Sequence, residues 1–284
     1  TSFQQTSKIL ATSKAVAAVN KANGMTQEDT LAIMKGIASE FGSFSNATAA
    51  TTLKASNLVA NFGLATDSVG TLARQMQAVG ADSLDSALNS IELQANMARA
   101  ADVPVADVMN DVAKNTEFFA KFAKDGGANV TAAAIAAKKL GLELSNVASI
   151  ADSLLNFEDS ISKQMEAEVL LGKELNLEKA REMVFNNDIA GAMQEISQLV
   201  SPEEFEAMDA VRRGALAAAV GLDAGAMAKA ISGGGGARGG ITPAMRTGGA
   251  PAGGGGTDKM DALIGAVTEG NANTVREIQR QGQG

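Results

Sequence analysis

The sequence predicts an all-α protein, and three observations carry that expectation. Apolar residues recur at steps of three and four, as in Leu31, Met34, Ile37 and Phe41, or Val147, Ile150, Leu154, Phe157, Ile161, Met165 and Val169. No segment alternates with period two over a useful length, and β-branched runs are rare. The apolar segments are separated by glycines followed closely by residues that cap helices. Short to medium helices with glycine-rich breaks and no β-sheet are therefore expected.

Along the chain, residues 1–23 are rich in Ala, Ser, Thr and Lys, carry Ile9, Val16 and Val19, and end at Asn23-Gly24, a helix stop. Thr26 is placed to cap the next helix. Residues 1–56 then read as N-terminal helices continuing from a longer rod. The sequence starts at Thr1 without an initiator Met and shows no basic-then-apolar leader, so no secretory signal is expected and the segment reads as a processed chain or a piece of a longer one.

From residue 57 to 231 the breaks recur as "FGLATD", "VGADSL", "LGLELSN" and "VGLDAG". Gly141 and Gly221 are predicted to end helices in the left-handed conformation, and Pro104 in "ADVPVADV" to start one in its first turn. The break spacing is irregular, so no solenoid repeat is expected. Residues 146–171 form the strongest amphipathic element, its apolar steps separated by Glu158, Asp159, Lys163, Glu166 and Glu168. Gly172 ends that helix and Asn176 is placed to cap "NLEKAREM". "SPEEFEAMDAVRRGALAAAVGLD" puts Pro202 in a first turn, with acids early and bases later, as the helix dipole favours.

Residues 232–256 contain 12 Gly and two Pro with no acid, the composition of a flexible linker. Residues 257–284, with Met260, Leu263, Ile264, Val267, Val275 and Ile278, predict a small C-terminal helical tail.

Composition narrows the chemistry. The chain has no His, Cys, Trp or Tyr, which removes imidazole acid–base chemistry, thiolate catalysis and Cys-based metal sites. Aromatic residues are only 4%, all Phe, and much of the 45% hydrophobic content is Ala, so a thin core is expected. Charge is unevenly placed: residues 151–210 carry 14 acidic and 4 basic side chains within a chain of net charge −8. An acidic block of this kind is the wrong sign for specific nucleic-acid binding. The longest apolar stretch, Ala215 to Val220, falls far short of the roughly 20 residues of a membrane span.

Candidate motifs read mainly as structure. "GGGGARGG" lacks the Gly-Lys-Ser/Thr ending of a phosphate loop. Glu174 and Glu178 share a helical face, but a di-metal carboxylate bundle would want Glu-x-x-His. No catalytic, cofactor or metal residues are therefore assigned, and the chain is not expected to be an enzyme. Phe118 and Phe122 share one face, and with Ile150, Leu154, Phe157, Ile161 and Met165 they are the candidates for helix packing or an oligomer interface.

Three phrases in order carry a resemblance. They are "EFFAKFAKDGGANVTAAAIAAKKLGLELSNVASIADSLLNFEDSI", "EAEVLLGKELNLEKAREMVFNNDIAGAMQEI" and "EFEAMDAVRRGALAAAVGL". Together they resemble the helical region toward the C-terminus of tail tape measure proteins of tailed bacteriophages, especially marine phages. The likeness reaches back through "NFGLATDSVGTLARQMQAVGADSLDSAL" to about residue 57 and covers over half the chain.

The resemblance implies a virion protein that sets tail tube length during assembly in the host cytoplasm, fills the tube lumen and leaves at genome ejection. It implies threefold self-association and contacts with tail tube protein, tail tip or baseplate hub proteins and tail assembly chaperones. Sustained heptads are missing, so this segment reads as the folded end near the tip. The family offers no catalytic residues to transfer. Two other readings are a flagellar or contractile injection system component, which Ala/Ser/Thr/Gln-rich helices would suit, and an enzyme or ligand-binding helical domain using the acidic block.

Overall fold

In the computed structural model, which describes residues 3–21 and 24–235, fifteen α-helices and short 3-10 turns carry all the regular structure, with no strand among the described residues. In chain order they are α1 (Phe3–Asn20), α2 (Gln27–Phe41), α3 (Ala49–Phe62), α4 (Ser68–Ala78) and α5 (Leu84–Ala100). Next come α6 (Val105–Lys114), α7 (Thr116–Phe122), α8 (Ala128–Lys139), α9 (Leu144–Leu155) and α10 (Phe157–Leu171). The last five are α11 (Glu178–Phe185), α12 (Ile189–Ser197), α13 (Pro202–Ala207), α14 (Ala210–Ala219) and α15 (Ala224–Gly235).

Local chemistry sets these boundaries. The side chains of Thr26, Thr48, Ser83, Asp188, Ser201 and Asp209 each accept from the backbone N–H three residues on, satisfying donors that the first turn leaves free. Thr26, Ser83 and Ser201 complete reciprocal capping boxes. At the other ends, Gly42, Gly63, Gly141, Gly172 and Gly221 adopt φ between +66° and +78°, the left-handed closure that glycine takes without a Cβ penalty.

The helices pack mainly on near neighbours in sequence. α1 lies on α2 and α3, α2 on α4, and α4 on α5 and α6, while α8 touches α5, α6, α9, α12 and α15. Where α2 crosses α4 the backbones meet: a Cβ on Gly70 would stand 2.5 Å from the Gly36 carbonyl oxygen. The core is filled by Ile33, Met34, Ile37, Leu72, Met76, Leu88 and Ile91, and further along the chain by Met109, Phe119, Leu144, Ile150 and Leu154. Alanines fill much of the space between them, Ala73, Ala87, Ala95, Ala133, Ala134 and Ala151 among those fully buried.

Polar side chains tie separate elements through this thin core. Gln94 donates to the Gly126 carbonyl at 2.8 Å and accepts from Thr131 Oγ1 at 2.7 Å, joining α5 to the turn before α8 and to α8 itself. Asp111, largely buried on α6, accepts from the Leu144 backbone N–H at 2.7 Å and so caps α9 from outside that helix.

Several expectations change. The amphipathic element over 146–171 is two helices, because Asn156 (φ −81°, ψ 80°) leaves helical geometry between α9 and α10. The segment from Ser201 likewise splits at Met208 into α13 and α14. The boundary placed between residues 56 and 57 falls inside α3, and α2 packs on α4 beyond it. The linker expected from 232 begins inside α15, whose Gly233 lies against the Leu140 backbone closely enough that a Cβ would stand 2.6 Å from Leu140 Cα. The rest of that linker and the 257–284 tail lie outside the described residues.

Candidate functional site

On α10 the usual arrangement of a surface helix is exchanged. Ser160 and Ala167 are fully buried and Gln164 is half-buried. Phe157, Ile161, Met165 and Val169 are 47, 47, 61 and 82% exposed. At 3.6 residues per turn each step of four advances about 40°, so these residues form one stripe about 120° wide, the width with which an ordinary helix faces its core.

The inner side of α10 is held by polar chemistry. Arg181 on α11 donates from Nη1 to Ser160 Oγ at 3.1 Å and from Nη2 to Gln164 Oε1 at 2.8 Å. Gln164 Nε2 donates to Glu168 Oε1 at 2.7 Å and to the Leu175 carbonyl. Glu168 Oε1 also accepts from the Leu175 N–H at 3.0 Å. The Gln164 amide, then the Leu175 N–H, and further the Arg181 charge outweigh desolvation and hold the Glu168 carboxyl below its ordinary range. Burial lowers the Arg181 pKa, against the opposing pull of Glu178 and Glu168, yet a guanidinium stays charged near neutrality.

The loop after Gly172 completes this bracket. Gly172 has φ +66° and no atom within 4 Å of a Cβ placed on it, so it acts through backbone conformation alone. Leu175 and Leu177, in the segment that joins α10 to α11, are both buried. Leu177 takes the N-cap position expected for Asn176; the Asn176 side chain instead accepts from the Glu178 N–H at 3.2 Å. From α14, Arg212 Nε donates to the Leu170 carbonyl at 3.1 Å.

The other sequence-predicted residues separate cleanly. Phe118 and Phe122 are buried, with ring centroids 4.7 Å apart, and Ile150 and Leu154 are fully buried. These four serve packing within the chain and are not available to a second molecule. Phe157, Ile161 and Met165 lie on the exposed stripe. Gly141, Gly172 and Gly221 have φ of +69°, +66° and +78°. Ser160 was not singled out from the sequence, although Ser160, Gln164 and Ala167 follow helical steps, and Arg181 stood out only as a base within an acidic block.

Beside the stripe a shallow groove of ≈ 240 Å³ between α10 and α14 is lined by Lys163, Glu166, Leu170, Val211 and Gly214. Among the described residues no group of three or more carboxylates is placed to hold a metal ion. No single described helix is long and apolar enough to cross a membrane. α14 and the first part of α15 meet that test only together, across a 79° bend, and Leu216, Ala217, Met227 and Ile231 in them are buried. No protein family, curated protein or solved structure matches the chain.

Proposed function

We propose that this chain is the folded helical portion of a bacteriophage tail tape measure protein, a structural virion protein whose parent chain sets tail tube length, fills the lumen and leaves at genome ejection. The observation that carries the reading is the ordered resemblance of residues 57–223 to that family. Its partners on this reading are further copies of itself, tail tube protein, tip or baseplate hub proteins and assembly chaperones.

The geometry refines the role. A continuous helix converts residues to length at about 1.5 Å each, but the longest helix described here has 18 residues, and successive helices fold back on one another. Such a body suits anchoring at the tip better than ruling length, and the exposed stripe of α10 is a surface on which anchoring contacts can form.

The test is an in-frame deletion of residues 25–235 in a phage that encodes the chain, with tails measured by electron microscopy. Loss of assembled or infectious tails without graded shortening is expected for an anchor. Tails of normal length and full infectivity would overturn the tail reading altogether.

A further inference from the structure

We infer that the exposed stripe of α10 docks on α1 of a second copy of this chain, making a head-to-tail contact. The inference does not depend on the tail reading; it follows from charge and shape on two helices that share no packing neighbour. α10 packs on α9 and α14, and α1 on α2 and α3.

The first half of the argument is the stripe. Phe157, Ile161, Met165 and Val169 point outward from a helix whose inner face is fixed by Arg181, Gln164 and Glu168, so rotating them inward would break that network. The charges beside the stripe are acidic: Glu158 and Glu166 are exposed, and neither forms an ion pair among the described residues. The one base on α10, Lys163, lines the groove toward α14, where Glu166 stands beside it, so Glu158 is the charge set among the stripe residues themselves. Two α10 helices brought together would set acid against acid.

The second half is α1. Among its described side chains, Ser13, Val16 and Asn20 are buried. Leu10, Lys14, Ala18 and Lys21, at steps of four, four and three, share an exposed face beside the small residues Ala11 and Ala15. Residues 1–27 contain three lysines and no acid, and Lys14 and Lys21 form no ion pair among the described residues. A basic face floored by alanines lets an apolar helix with acidic edges approach closely, its large side chains seated between lysines.

Because the two surfaces differ, the contact is heterologous. Each copy offers one α1 and one α10, so association closes into a ring or runs on as a filament.

The experiment uses the 284-residue chain, with mass read by light scattering and sedimentation over a concentration series at low and high salt. Wild type is expected to form species larger than a monomer that dissociate with dilution and with salt. Two exposed-site variants each break one half: F157S/M165S on α10 and K14E/K21E on α1. Each is expected to retain wild-type helicity and melting behaviour and to weaken association by at least about tenfold. Mixed in equal amounts, they retain one intact contact between them and should form a 1:1 complex and nothing larger. A wild type that stays monomeric at every concentration overturns the proposal. So does a K14E/K21E chain that associates as wild type does, which would move the contact to α10 against α10 or to another face.

Discussion

Glycine does three different jobs in this chain, and only one of them can be read from sequence. Gly172 stands in open space at φ +66°, so an alanine there meets only the left-handed backbone penalty. Gly127 combines φ +84° with a close neighbour: a Cβ would stand 2.6 Å from Phe119 Cζ. Gly127→Ala should therefore lower unfolding free energy by about 3 kcal/mol and Gly172→Ala by about 1 kcal/mol, read from urea unfolding of the two variants. Equal effects would mean that Phe119 swings away at no cost. The breaks at Gly141, Gly172 and Gly221 were legible because each is followed within a few residues by a polar residue of the kind that caps helices. The crossing of Gly36 and Gly70 was not. Both lie inside helices, and nothing local records that two backbones approach there.

At the scale of elements, end chemistry was legible and facing was not. Thr26 and Ser201 cap as expected because an N-cap depends on residues within one turn of it. The direction in which α10 faces depends on Asn156, a single residue that leaves the helix while the three-and-four spacing of apolar residues runs on unbroken from Leu154 to Phe157 and Ile161. The same local networks give the fold a pH dependence. The Thr26 N–H and hydroxyl lower the Asp29 carboxyl, the Gln164 amide and Leu175 N–H lower Glu168, and the Ser201 N–H and Lys173 lower Glu204. A carboxyl lowered in the folded state adds stability at pH above its unfolded value and loses it as pH falls through the folded value. The melting temperature should therefore hold from neutrality to roughly pH 5 and decline below it, where ordinary carboxyls begin to protonate. Glu168→Gln should flatten part of that decline; a melting profile as steep in the variant as in wild type would remove Glu168 from the account.

For the whole molecule, the thin core and the order of packing decide how it comes apart. Buried alanines contribute little area each, so the helices are held by many small contacts and a few anchors such as Phe119, Leu144 and Leu154. Several interfaces join helices close in sequence, such as α2 with α4, α4 with α5 and α11 with α12, and cost little loop entropy, whereas α10 with α14 and α8 with α12 close longer loops. Small helical domains built on such local contacts refold in microseconds to milliseconds. A protein that must enter or leave a narrow tube gains from that combination, because low resistance permits extension and local contacts permit rapid recovery. Pulled from its ends in optical tweezers, the chain is expected to open in several small steps at low force and to refold between pulls within roughly a millisecond. A single high-force rupture followed by slow recovery would show one cooperative, mechanically resistant core. That result would leave the proposed anchoring role standing, while removing the proposal that this body passes through a tail tube in extended form.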